Sequence, residues 1–225
     1  MALSLAARLR TAAAAATVEC VVVRGRGSAF SAGIDLQELQ HLWSPQVDLR
    51  TRAPIRDQLL DCANLCEAMT KPTICQLHGA CIGAALEIAM ACDFRVVTSD
   101  CQFALPEVKL GIIPDVGGVS RLPALVGLTA AKDLVMTGRS FDAYEARALG
   151  LVSRLTEPAD LERTTETLVQ ELSAGSWHAA GRAKRILDAA AHPALAQTLE
   201  MEIITQEYCI AMQRGRSGDL PPQPN

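Results

Sequence analysis

Short apolar runs that end on glycine punctuate the first two thirds of the chain, and helical periodicity takes over in the last third. Val18 to Arg24 (VECVVVR) predicts a buried strand ending at Gly25 and Gly27. Thr73 to Leu77 (TICQL), introduced by Pro72, predicts another. Each runs into a Gly-rich turn and then a helix-compatible stretch, so strand, turn and helix repeat as in a layered α/β fold with crossover connections. Further short strands are expected at Phe94 to Val97 and Leu151 to Leu155. From Asp160 to Gln213 the pattern predicts two or three helices, broken around Gly175 and His192-Pro193, with Trp177 and His178 opening one of them. The closing RGRSGDLPPQPN, rich in Gly, Pro and polar residues, reads as a loose end. At the start, Leu3, Leu5 and Leu9 with the alanine run favour a folded surface helix. Arg8 and Arg10, with no acid before Glu19, leave an amphipathic transit segment as the alternative. The resulting division is a core at 1–157, a helical tail at 158–213 and a loose end at 214–225.

Composition narrows the function classes. Of 225 residues, 49% are hydrophobic and only 4% aromatic, which fits one domain with an Ala, Val, Leu and Ile core. A formal charge of −4 and the lack of a basic stripe argue against a nucleic-acid partner. No run of eighteen apolar residues is present to span a membrane. The expected location is cytoplasmic, with a mitochondrial matrix as the alternative. Eight cysteines lie scattered among apolar neighbours and are expected to be reduced core thiols. Cys62 and Cys66, one helical turn apart, lack a second pair at zinc spacing, so no metal is expected.

Three segments carry candidate chemistry. In GRGSAFSAGIDLQEL, Gly33 permits a sharp turn that faces the Ile34 N–H outward before a helix beginning at Asp35; such an N–H can bind an oxyanion. In HGACIGAALEIAMACD, Gly79 and Gly83 bracket a turn and a helix starts near Ala84, whose free N–H is a second donor. Glu87 lies one turn further in, on an otherwise apolar helix, where a carboxyl is seldom buried without a reason. In FALPEVKLGIIPDVGGVSRLP, Glu107 follows Pro106 at a helix start, and Asp115 sits in a Pro-Asp-Val-Gly-Gly turn. Taken alone, Asp115 reads as an Asx-turn or N-cap residue, and Glu107 too could cap. Both follow the Glu87 segment by a distance that one strand and one turn can fold back. Arg121 is expected to anchor its helix by charge-assisted hydrogen bonds. His78 is expected to make a structural hydrogen bond.

The ordered set SAFSAGIDL, HGACIGAALEIAMACD, PEVKLGIIPDVGGVSRLP, MTGR and ARALGLVSRL resembles the crotonase superfamily, the enoyl-CoA hydratase/isomerase family, from about Ala2 to Tyr208. The resemblance implies a spiral of repeated ββα units with a C-terminal helical region for trimer contacts, assembled as a homotrimer or dimer of trimers. It implies acyl-CoA thioester substrates, no cofactor beyond the coenzyme A of the substrate, and an oxyanion hole at Ile34 and Ala84. It places substrate and CoA contacts at Arg24, Arg26, Ser28, Ala29, Ala32, Asp35, Leu36 and Gly83. His41, Leu42 and Trp43 are candidates to line the acyl pocket.

In the hydratase pattern of that family two glutamates flank one water, and Glu87 and Glu107 fill both positions. Water adding to an enoyl thioester creates an enolate, so the oxygen needs stabilisation while one proton leaves the water and another reaches the α carbon; two carboxyl groups can do both transfers. The expected activity is enoyl-CoA hydration. Asp115 stands where several isomerases of the family place an acid, which makes enoyl-CoA or dienoyl-CoA isomerisation with Glu107 the alternative. A catalytically degenerate CoA-binding or assembly subunit is a third reading. It rests on fewer CoA cations, with Ser28 and Gln37 where basic residues are usual, and on first strands and a last helix that are missing relative to the family; Gly83-Ala84-Ala85 in place of three glycines narrows the space beside the thioester but keeps the Ala84 N–H.

Overall fold

Four short segments, each with at least one β-branched residue, pair side by side because each leaves its backbone groups unsatisfied until a neighbour is found. In the computed structural model, which describes residues 2–35, 37 and 47–215, these are β1 (Val21–Arg24), β2 (Thr73–Leu77), β4 (Phe94–Thr98) and β7 (Arg154–Thr156). They form a parallel sheet in the order β1-β2-β4-β7. A second sheet holds β3 (Ala80–Ile82), β5 (Gln102–Ala104) and β6 (Ser140–Asp142) in the order β3-β5-β6, with β5 and β6 antiparallel. Successive turns of chain give one strand to each sheet: β2 then β3, β4 then β5. Even the first turn does so, since Ser31 bridges to Cys81 of β3. This is the α/β spiral of ββα units that the resemblance implies.

The helices are α1 (Ala2–Ala14), α2 (Leu49–Ala68), α3 (Ala84–Met90), α4 (Gly118–Val126), α5 (Leu128–Thr137), α6 (Ala143–Ala148), α7 (Leu161–Ser173), α8 (Trp177–Ala191) and α9 (Leu195–Gly215). Three helices follow residue 160, separated at Gly175 and His192, as the periodicity predicts. Ser176 caps α8 by accepting from Ala179 N–H at 3.3 Å. Two strand expectations shift. The first strand starts at Val21, because Val18 N–H closes a turn onto Ala15 O instead of joining a sheet. The last starts at Arg154, because Leu151 N–H terminates α6 by bonding Ala146 O. Leu36 and residues 38–46, including His41, Leu42 and Trp43, lie outside the described residues, as do residues 216–225.

The core runs between the two sheets and α2, α3 and α4, where Leu77, Leu86, Phe103, Leu105, Leu122 and Leu134 are fully buried. Phe103 and Phe141 stack with centroids 5.4 Å apart. All eight cysteines are free and six are buried. Among the described residues no helix is long and apolar enough to cross a membrane, and no cluster of three or more His, Cys, Asp or Glu side chains suits a metal ion.

Several charged side chains are buried with this core, Arg121 the most completely among the described residues. Arg121 of α4 is 1% exposed and donates to Glu67 Oε2 at 2.7 Å, to Asn64 Oδ1 at 2.9 Å and to Val116 O at 3.2 Å. It thereby pins α4 to α2, the anchoring role expected of it. Removing one partner of a buried pair leaves the other uncompensated. Arg121→Met is therefore expected to lower stability by about 3 kcal/mol, read from denaturant midpoints at constant m value.

Candidate active site

Glycines bring the first two candidate donors together. Ser31 N–H bonds Ala80 O at 3.0 Å, and Ile82 N–H bonds Ser31 O at 3.2 Å, which lashes the turn after β1 to β3. Gly33, at φ +87°, tucks against this strand so closely that a Cβ there would lie 2.7 Å from Ile82 O and 3.9 Å from the Ala84 nitrogen. Ile34 and Ala84 thus sit on adjoining turns. Neither amide N–H bonds an acceptor among the described residues. Ala84 opens α3, which has only seven residues, so what it offers is free N–H groups rather than a long helix dipole.

Glu87 projects from α3 into the protein and is 2% exposed. Its Oε2 accepts from Val116 N–H at 2.8 Å and from Gly118 N–H at 2.7 Å. Gly118 is close because it has no side chain: a Cβ there would stand 2.7 Å from that oxygen. Glu107 lies on the 3-10 turn Pro106–Leu110, whose N-cap is Leu105, so Glu107 is not a cap. Its Oε1 lies 2.7 Å from where a Cβ of Gly83 would be, next to Ala84. Its Oε2 is shut off from water and has no hydrogen-bond partner.

Asp115 is also buried, at 8% exposure. The helix after it is capped by Gly117, which removes the N-cap reading of Asp115. Glu202 of α9, missing from the sequence-derived candidates, completes an acidic group: it accepts from Gly117 N–H at 2.8 Å and also from Ser120 N–H. Next to it on α9, Gln206 Oε1 accepts from Ile113 N–H at 2.8 Å. Spacing of four along a helix, Glu202, Gln206 and Ile210, was the available signal; nothing in sequence said which turn it would meet. The same holds for Arg52 and Arg56 on α2. Arg52 bonds Glu207 and Val47 O, and Arg56 approaches Glu207 at 3.5 Å.

Burial and mutual repulsion hold these acids toward their neutral forms. Burial is the main cause at Glu87, with the charges of Glu107, Asp115 and Glu202 adding to it and the Val116 N–H opposing; its pKa stands well above the usual carboxylate range. Burial pushes Glu107 up to about 7. It also pushes Asp115 up to about 7, against Arg56 and with Glu202, Glu107 and Glu207.

The remaining candidates are peripheral. Arg24 pairs with Glu162 at 2.9 Å on the exposed end of β1, the plain surface-charge reading. Arg26, Ser28, Ala32 and Asp35 are exposed, Ala29 is half-buried, and Asp35 Oδ1 accepts from Gln37 N–H at 2.8 Å. His78 Nε2 stands 3.1 Å from Gly27 O, a structural contact as expected.

A family model described as enoyl-CoA hydratase/isomerase matches residues 2–219. The chain belongs to that family. The enoyl-CoA hydratase/isomerase family, within the crotonase superfamily, acts on acyl-CoA thioesters, and membership makes the chain an enzyme of lyase/isomerase type. It is 37% identical to YngF of Bacillus subtilis (strain 168), provisionally named an enoyl-CoA hydratase/isomerase, over 89% of this chain and 76% of that one. It is 32% identical to the enoyl-CoA isomerase/hydratase fer4 of Mycosarcoma maydis, over 81% of this chain and 65% of that one. Its structure matches a crystal structure of an enoyl-CoA hydratase from Bacillus halodurans with a TM-score of 0.85 and 26% identity, covering 93% and 84% of the two chains.

The acid group makes stability depend on pH in a stated direction. With Asp115 near 7 in the fold and about 3.9 when unfolded, the folded state holds the extra proton between those values. The stability it confers is full below the lower value and is lost as pH rises through the upper one. Asp115→Asn is expected to be stabilising by about 2 kcal/mol at pH 8, with little gain at pH 4. Thermal melts of both proteins at the two pH values check this.

Proposed function

We propose that this chain is an enoyl-CoA hydratase, adding water across the 2,3 double bond of an enoyl-CoA thioester. The observation that carries the reading is the orphaned Oε2 of Glu107, shut off from water beside the buried Glu87 and next to two adjoining amides with no acceptor. A buried carboxyl oxygen without a partner costs stability, and such a cost persists where a ligand supplies the partner. Here the partner is the attacking water.

In this reading the Ile34 and Ala84 N–H groups hold the thioester oxygen, where one such donor lowers a barrier by about 3 kcal/mol. The water oxygen bonds to C3, the C2=C3 π electrons move into the thioester, and an enolate forms on the held oxygen. One carboxylate takes the proton leaving the water; the protonated carboxyl gives its own to C2 as the enolate collapses. Atoms and charge balance, the pair ending with its proton on the other member. No redox or metal chemistry is called for. Burial holds both Glu87 and Glu107 toward their neutral forms and the Glu107 charge adds to the effect at Glu87, so they titrate as a coupled pair; the exchange requires that pair to hold one proton. The fixed donation of Val116 and Gly118 N–H to one oxygen of Glu87 leaves its Oε1 without a bond to the described residues, and that is the oxygen available to water.

Asp115 supports a second reading. It is buried, poised near neutrality and part of the same acidic group, so with Glu107 it could move a proton between C2 and C4 and shift a double bond. We propose substrate and CoA contacts at Arg26, Ser28, Ala29, Ala32, Asp35, Leu36 and Gly83, with Arg24 free to join once released from Glu162. We propose a homotrimer or dimer of trimers as the assembly.

Glu87→Gln and Glu107→Gln are each expected to lower crotonyl-CoA hydration at least about 100-fold while binding of a saturated acyl-CoA persists. Undiminished turnover in both variants rejects hydration by this pair. Incubating a 3-enoyl thioester and following conjugation separates the readings. Under the hydratase reading conjugation is slow and Asp115→Asn leaves crotonyl-CoA hydration within about threefold, well short of the roughly 100- to 10,000-fold acid-base contribution. Fast conjugation abolished by that substitution establishes the isomerase instead.

A further inference from the structure

Beside Ile34 and Val116, one wall away from the two glutamates, is a cavity of ≈20 Å³ bordered also by Asp115, Arg56, Gln206 and Glu207. That is space for about one water-sized group. Gln206 is 1% exposed, and its amide orientation is set by its neighbour: Ile113 N–H can only donate, so the atom it meets at 2.8 Å is Oε1. The other end, Nε2, is buried and donates to nothing. A buried NH₂ with no acceptor costs about 1–3 kcal/mol. Charged and acidic groups lining this small space are two cations, Arg52 and Arg56, which share the anion Glu207, and the buried Asp115. Arg56 also leans on the exposed Asp57 at 3.1 Å.

Resting on the acyl-CoA reading above, we infer that Gln206 and Arg56 form a subsite for the far end of a short acyl group bearing a carboxylate. Gln206 Nε2 donates to one of its oxygens and Arg56 supplies the opposite charge. Every donor in the subsite then has an acceptor, which a terminal methyl group cannot provide. Asp115, held neutral by burial, is compatible with an anion nearby and can donate its own O–H to it. A site built around unpaired donors rejects the analogue that lacks the acceptor more strongly than an apolar pocket rejects an extra methylene. Gln206 is thus a specificity residue, separate from the proton-transfer pair.

Binding of saturated thioesters tests this without any turnover, so it stands apart from the hydratase assignment. Glutaryl-CoA and pentanoyl-CoA have the same five-carbon acyl length and differ in the terminal group. The wild-type chain is expected to bind glutaryl-CoA at least about tenfold more tightly by calorimetry, equivalent to about 1.4 kcal/mol. Gln206→Glu keeps the acceptor for Ile113 while replacing the donor with an anion; the ratio of the two affinities should fall to about one or invert. Arg56→Met should reduce the same ratio. Equal wild-type affinities, or a preference that survives in Gln206→Glu with an unchanged melting temperature, overturn the subsite. If glutaryl-CoA binds selectively but no enoyl thioester of either kind is hydrated, the subsite stands and the hydratase reading fails.

Discussion

The segment running from Ile113 into the first turn of α4 meets its backbone partners late in the helix, and five of its N–H groups are held by side chains from elsewhere. Glu87 takes Val116 and Gly118, Glu202 takes Gly117 and Ser120, and Gln206 takes Ile113. Charge-assisted bonds to backbone amides are stronger than neutral ones. Here they do two things at once: they fix Asp115 and Val116 at the edge of the cavity, and they fix the rotamer of Glu87. The glycines are part of the same arrangement, since a Cβ at residue 118 would collide with the oxygen that Gly118 binds.

That arrangement gathers four carboxyl groups, Glu87, Glu107, Asp115 and Glu202, in a region largely closed to water. Each is pushed toward its neutral form by burial. A structural purpose alone would be better served by amides or apolar side chains, which pack without desolvation cost. Arg121 and the helix contacts around it offset part of this cost, tying the same turn to α2 through Glu67 and Asn64. Stability given up at a site and recovered in its surroundings is the usual division in enzymes.

Local chemistry was legible in sequence and long-range pairing was not. Strand runs ending in glycine, the three C-terminal helices and the glycine at 33 follow from propensity and backbone sterics. The ordered motifs supplied the spiral and brought Glu87 and Glu107 into one family pattern. Two boundaries moved because a strand begins where a partner amide is found: Val18 bonds Ala15, and Leu151 bonds Ala146. Asp115 was ambiguous because an N-cap and a buried acid carry the same local signature; the capping of α4 by Gly117 separates them. Glu202 and Gln206 escaped notice because their partners lie 85 and 93 residues away, and helical spacing gives a face without naming its neighbour.

The reach of Gln206 and Glu202 has a bearing on the order of assembly. Loop closure over such separations is slow compared with local helix formation. The strands and α3 can gather early, with Glu87 holding Val116 and Gly118, yet the N–H groups of Ile113, Gly117 and Ser120 wait for acceptors until α9 docks across them. The pocket is therefore finished by the last helix to arrive, and in a refolding experiment catalytic competence should trail the recovery of secondary structure.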